Sequence, residues 1–248
     1  SSRLFYFTNY EQIQSDFENS FDEMPDGEPF ICSFSGGKDS VIALSMAWEK
    51  GEAKGLINWF DEEQNKSVFH NQDLDLIKLQ AECMELPLYT TRYTPWSHRV
   101  ELIDIYKRFS EQGIKSIIFG DIYLADSAKL QTILCKKAGL IPRFPLWNKD
   151  LKDLYNIMQN RKIKTIISRV NTAYLNEEWL GKEYNMEMFD SFCKMGIDPF
   201  GEKGEFHTTV IDADIFKVSL LDKLIDEDAR IQLSAHELKD NIYRLLKK

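Results

Sequence analysis

The chain has little cysteine, little histidine and no long apolar run. Four cysteines are spread over 248 residues, at Cys32, Cys83, Cys135 and Cys193, and no two form a C-x-x-C pair. That spacing excludes a zinc ribbon and a redox dithiol and suits buried, reduced thiols in a cytoplasmic protein. No segment approaches the roughly 20 apolar residues of a membrane-spanning helix. Nothing near the start reads as a secretory signal, although the opening Ser1-Ser2-Arg3-Leu4 lacks a methionine and leaves a removed leader open. Positive charge is in deficit: 31 Lys and Arg face 40 Asp and Glu, a formal net charge of −9. This speaks against a broad nucleic-acid surface and leaves room only for a local basic patch. Internal repeats and low-complexity tracts are absent. The remainder, 43% hydrophobic and 29% charged, is an ordinary globular composition with core enough for one large or two small domains.

The pattern that is present alternates strand and helix. Apolar runs predict strands at 30–32, 54–60, 87–91 and 115–119, and helical periodicity predicts helices near 39–50, 72–85, 100–109 and 124–138. This rhythm implies parallel βαβ units, hence an α/β fold with a doubly wound parallel sheet whose ligands bind beyond the carboxyl ends of the strands. Pro142 and Pro145 break the rhythm and predict extended backbone. A boundary is placed there, giving domains 1–145 and 146–248, the first with a helical lead-in over 1–29 that carries Ile13, Phe17 and Phe21. The smaller second domain reads as α+β: a helix at 149–159, a strand at 163–169, helical material at 175–194, a glycine-rich loop at 196–204 and a strand at 205–211. A final helix is expected at 234–248, with Ser234 and Glu237 as a capping box.

Residues 35–40 read Ser-Gly-Gly-Lys-Asp-Ser, between the strand Phe30-Ile31-Cys32 and the helix opening Val41-Ile42-Ala43. A strand that turns through two glycines into a helix aims backbone N–H groups and the positive helix end at one point, which is a phosphate site. Gly36 and Gly37 permit close approach, Ser35 and Ser40 add hydroxyl donors, and Lys38 adds charge. The Walker P-loop is excluded: Cys32 stands where its first glycine is required, and Asp39, not Ser or Thr, follows Lys38. Asp39 lies at the positive end of the helix, where its pKa is expected to fall, and serves either as a magnesium or water ligand or as a simple dipole complement. Asn58 and Gly120-Asp121, at strand carboxyl ends, line the same crevice. The bland alternative is a glycine-rich turn without a ligand.

A second constellation lies at 196–208, Gly-Ile-Asp-Pro-Phe-Gly-Glu-Lys-Gly-Glu-Phe-His-Thr. Glu202, Glu205 and His207 are groups that orient amines and move protons, and Glu205 and His207 share a strand face. Here too the alternative is a polar loop whose glycines only permit turns. His70 either contacts nucleotide or caps its helix, and His98 and His236 read as surface residues.

The Ser35–Ser40 loop resembles the PP-loop of ATP pyrophosphatases. Together with Phe69-His70-Asn71, Gly120-Asp121-Ile122, Pro145-Leu146-Trp147 and Gly196–Thr208, in that order, it makes the chain resemble the diphthine–ammonia ligase family, in its compact prokaryotic branch, over about residues 30–217. The resemblance implies a HUP-type ATP-binding domain followed by a substrate domain, and AMP- and pyrophosphate-forming amide ligation through an acyl-adenylate. It implies that Ser35, Gly36, Gly37, Lys38, Asp39 and Ser40 hold the phosphates of ATP and that Gly120 and Asp121 border the nucleotide or its Mg2+; Asn58 and His70 are counted with the nucleotide-binding residues, and Asp39 is the candidate Mg2+ ligand. Lys38, Asp39, Glu202, Glu205 and His207 would be the catalytic set, the last three facing the acyl substrate or ammonia. The acceptor would be the diphthine of elongation factor 2 in an archaeal or eukaryotic chain and unknown in a bacterial one; a homodimer stays open. Phe200, Lys203 and Asn71 depart from the family pattern and leave the acyl substrate undetermined. Two other readings are a tRNA-thiolation-type adenylating enzyme, which the unpaired cysteines and net charge disfavour, and a non-catalytic ATP- or AMP-binding module.

Overall fold

The computed structural model describes residues 18, 20–61, 66–67, 72–92 and 98–227. The expectations for His70 and Asn71, for the lead-in helix through Ile13 and Phe17, and for the 234–248 helix lie outside these residues. In chain order the first half contains β1 (Pro29–Ser33), α1 (Lys38–Lys50), β2 (Glu52–Asp61), β3 (Lys66–Ser67), α2 (Leu74–Cys83), β4 (Leu88–Arg92), α3 (His98–Glu111), β5 (Ser116–Ile118), α4 (Ala125–Lys137) and β6 (Ile141–Arg143).

The period of two in each strand divides its side chains between two cores. Phe30 and Cys32 of β1, Leu56 of β2 and Ile118 of β5 enter one core, while Ile31, Ile57 and Ile117 enter the other. Val41, Ile42 and Leu44 of α1 and Leu76 and Ile77 of α2 cover the first face. Leu102, Tyr106 and Phe109 of α3 and Leu134 and Cys135 of α4 cover the second. The sheet is therefore doubly wound, as expected, with five parallel strands in the order β4-β2-β1-β5-β6 and β3 antiparallel on the end of β2.

The fifth parallel strand is a correction. The two prolines predict only extended backbone before a boundary, yet Ile141–Arg143 pairs with Ser116–Ile118. Proline is tolerated because β6 ends the sheet among the described residues, and its inward bonds come from its neighbours: Ile141 N–H donates to Lys115 O and Phe119 N–H to Arg143 O, each at 2.9 Å.

Beyond this sheet follow α5 (Leu151–Asn160), β7 (Lys164–Val170), α6 (Met186–Lys194), β8 (Phe206–Asp212) and α7 (Leu220–Glu227), with β7 and β8 forming a two-stranded antiparallel sheet. The expected helical stretch at 175–194 holds only a short 3-10 turn at Glu177–Trp179 and then α6. Between them the backbone runs extended beside β7, where Gly181 N–H donates to Ile167 O at 2.9 Å and Tyr184 N–H to Thr165 O at 2.8 Å. Helix α7 was not expected, although Ser219 and Asp222 cap it reciprocally: Asp222 N–H donates to Ser219 Oγ at 3.1 Å, and Ser219 Oγ to Asp222 Oδ2 at 2.8 Å. Cys32, Cys83 and Cys135 are buried, whereas Cys193, also expected inside, is exposed on α6.

One apolar core runs from Phe30 and Val41 through Leu154, Ile166, Phe192 and Phe206 to Leu220, so the chain on either side of residue 145 shares it.

Candidate active site

The strand-to-helix loop takes the shape its glycines allow. Gly36 has φ +78°, and a Cβ there would lie 2.2 Å from Gln80 Oε1. Ser40 Oγ donates to Gly37 O at 2.9 Å, Gly37 N–H reaches Ser35 Oγ at 3.4 Å, and the two serine hydroxyls are 3.2 Å apart. The N–H groups of Gly36 and Ser40 have no acceptor among the described residues. The loop is thus internally braced with donors left over, the arrangement expected of an anion site. On β2, Asn58 is buried and its Nδ2 donates to Phe34 O at 2.7 Å, holding the chain just ahead of the loop. Gly120 abuts the start of α1: a Cβ there would lie 3.0 Å from the Asp39 carbonyl and 3.1 Å from Ser40 N. These close approaches bring Asp121 beside Asp39.

The segment at 196–208 folds over this loop. Asp198 N–H and Lys203 N–H donate to the two carboxylate oxygens of Glu205, at 3.3 and 3.0 Å, and Phe200 N–H donates to Asp198 Oδ1 at 2.8 Å. Glu205 is 3% exposed, so here it braces the turn from within. Tyr123 OH donates to Asp198 Oδ2, and Tyr184 OH to Pro199 O. His207 is half-buried on β8, opposite Arg169 of β7. Lys38 reaches across: Nζ donates to Phe200 O at 2.5 Å and to Asp39 Oδ2 at 3.0 Å, and lies 4.8 and 5.5 Å from the ring centres of Phe200 and Phe206. Phe200, one of the departures from the family pattern, is therefore where the loop lysine rests.

Burial first, and mutual repulsion after it, raises the proton affinities of Glu202, Asp121 and Asp39. Glu202 is pushed up to about 8, by burial first, then by Asp39, with Lys38 opposing and Asp121 and Asp198 adding. Asp121 is raised by burial, the Ser127 hydroxyl opposing and Asp39 adding. The expectation that the helix terminus lowers Asp39 is reversed: burial raises it, and the charge and hydrogen bond of Lys38 offset only part. One oxygen of Asp39, Oδ1, is buried with no hydrogen-bond partner. Among the described residues no group of three His, Cys, Asp or Glu is set to hold a metal.

The sequence-predicted residues Ser35–Ser40, Asn58, Gly120, Asp121, Glu202 and Glu205 thus belong to one neighbourhood, whereas His207 alternates to the strand face opposite Phe206 and Thr208, the two residues of β8 that meet Lys38. Sequence reasoning missed Asp198, Tyr123, Thr208 and Gln80. Gln80 is fully buried and donates to both Gly36 O and Val210 O, at 2.9 and 2.8 Å. Its one signal was a polar residue three after Ile77 and four before Met84, on the apolar stripe of α2.

A doubly wound parallel sheet with a phosphate-type loop at its central strand, roofed by a carboxylate-rich segment, defines an α/β protein of nucleotide-binding type. Residues 30–142 match the diphthamide synthase N-terminal domain and residues 150–233 the diphthamide synthase C-terminal domain. The chain belongs to the diphthamide synthase family. It is 29% identical over 219 residues to a diphthine–ammonia ligase of Schizosaccharomyces pombe, covering 78% of this chain and 36% of that protein. To the mouse diphthine–ammonia ligase it is 27% identical over 227 residues, covering 81% of this chain and 84% of that protein. The chain therefore spans about a third of the fission-yeast relative's length and most of the mouse one's. A solved structure described as a predicted subunit of tRNA methyltransferase from Methanocaldococcus jannaschii aligns over 75% of this chain and 97% of its own, at 15% identity and a TM-score of 0.43.

Proposed function

We propose that the chain is an ATP-dependent ligase of diphthamide synthesis, which joins ammonia to a carboxylate and releases AMP and pyrophosphate. The observation that carries this reading is the contact between the two constellations: Lys38 of the phosphate loop bonds the backbone of Phe200, two residues from Glu202. Activation of a carboxylate and capture of an amine need one shared site, because an acyl-adenylate hydrolyses if it must diffuse.

In the first half-reaction a carboxylate oxygen of the acceptor attacks the α-phosphorus, and the bond to the β-phosphate oxygen breaks. The free N–H groups of the loop and Lys38 stabilise the charge that grows on departing pyrophosphate. Magnesium fits this loop, since Asp39 has a buried oxygen without a partner; Asp39 would hold it together with the phosphates, and it would neutralise their charge. In the second half-reaction ammonia attacks the acyl carbon, the carbon–nitrogen bond forms, and AMP leaves. Glu202 takes the proton, because a carboxylate raised to about 8 is a stronger base toward an amine than an ordinary one. Glu205 fixes the turn on which Glu202 stands. The acceptor is the diphthine of elongation factor 2 where that modification is made, and the reaction belongs to the cytoplasm; no described helix is long and apolar enough to cross a membrane.

The test is an ATP-binding and pyrophosphate-release assay on wild type, Lys38→Ala and Glu202→Gln. Lys38→Ala is expected to lose both readouts. Glu202→Gln is expected to keep nucleotide binding and lose amide formation. Wild-type turnover by Lys38→Ala would overturn the assignment of the loop.

A further inference from the structure

The phosphate loop is already occupied by its own chain. Lys38 N–H donates to Thr208 Oγ1 at 3.1 Å, and Lys38 Nζ to Phe200 O at 2.5 Å, leaving the lysine 2% exposed. Both acceptors are neutral oxygens from the segment that carries Glu202, Glu205 and His207. A backbone N–H has one proton and serves one well-aligned acceptor, so Thr208 and an incoming phosphate oxygen compete for the amide of Lys38. The competition favours phosphate, because hydrogen bonds to an ionised acceptor are about twice as strong as those to a neutral one. Nearby bonds do not depend on Thr208: Val210 N–H donates to Gly36 O at 3.0 Å, and Gln80 bridges Gly36 O and Val210 O. Strand β8 therefore stays docked when the two acceptors let go.

We propose that Thr208 Oγ1 and the Phe200 carbonyl form a latch that stands in for the phosphate oxygens of a nucleoside triphosphate. Nucleotide binding exchanges both contacts and frees the turn at 198–204 from Lys38, while β8 keeps its pairing with β7. The amine-handling turn then becomes mobile enough to receive the acyl acceptor only when ATP is in place, so binding is ordered, nucleotide first. This rests on the reading of residues 35–40 as the nucleotide-phosphate site.

The experiment pairs calorimetric titration with a non-hydrolysable α,β-methylene ATP analogue and amide hydrogen exchange, on wild type, Thr208→Val and Thr208→Ser. Removing the competing hydroxyl should tighten analogue binding by about two- to tenfold, the equivalent of one ordinary net hydrogen bond. Thr208→Ser keeps the hydroxyl and should bind like wild type. In wild type the analogue should speed exchange of amides at 198–204; in Thr208→Val these should exchange quickly without it. The wild-type exchange comparison needs no variant, so a misfolded Thr208→Val leaves the test intact. Unchanged or weaker binding by Thr208→Val, or slower exchange at 198–204 in analogue-bound wild type, overturns the latch alone. A wild type that binds no analogue overturns the nucleotide site itself.

Discussion

Glu202 holds its proton more tightly in the folded chain than in the unfolded one, and the consequence has a sign. Its proton affinity rises on folding, from an ordinary value of 4.5 to about 8, mainly through burial. The folded chain then holds one more proton than the unfolded chain between those values, so this group's contribution to stability is fully present below about pH 4.5 and is lost as pH rises through about 8. Glu202→Gln should remove that slope, so denaturant midpoints of the variant and wild type should diverge from pH 5 to pH 8, with wild type falling. The same group predicts an ascending limb near pH 8 in the ligation rate, absent from Glu202→Gln. At this scale the phosphate loop was legible because its six residues are contiguous and each does a local job. Thr208 and Gln80 were not, since their meaning depends on partners 170 and 44 residues away.

Among the elements, α2 does more than cover the sheet. Gln80 sits on its buried stripe and gives one amide to two carbonyls, one in the phosphate loop and one in β8. Gln80→Leu keeps the volume and removes the donor, leaving buried carbonyls underserved at about 1–3 kcal/mol. It should lower the denaturant midpoint and weaken ATP binding together, while a surface change such as Lys78→Ala on the same helix should do neither; unaltered ATP affinity in Gln80→Leu would separate α2 from the loop. Elements built on strong periodicity, β1, α1, β2 and α3, were legible from the sequence. Those held by tertiary pairing were not. The segment at 180–185 is extended only because it bonds β7, and β6 is a strand only because β5 offers it an edge.

For the molecule as a whole the decisive feature is continuity. One core passes through both halves, and ion pairs cross between them, Arg161 to Glu49 and Lys223 to Glu82, the latter at 2.9 Å. On the edge strand, Arg143 of β6 makes a bidentate buried pair with Glu28, at 3.1 and 2.8 Å, and also bonds Ser20 O. Breaking such a pair strands the partner charge, so Arg143→Ala should cost about 3–5 kcal/mol. That loss should appear as a shift of one cooperative unfolding transition, seen equally by far-ultraviolet dichroism and by tryptophan fluorescence. A separate early transition for residues 150–227 would show that the core does not couple the halves.

The proline of β6 has a consequence for how the molecule meets others. Ile141 N–H and the Arg143 carbonyl are turned toward β5, which leaves Pro142, with no N–H to offer, at the outward rung. A neighbouring chain seeking to extend the sheet there would find a missing donor in a strand of three residues, beside a guanidinium already engaged. Among the described residues the sheet is thereby self-terminating on this side, and crowding at high concentration should not lengthen it into a ribbon from that edge.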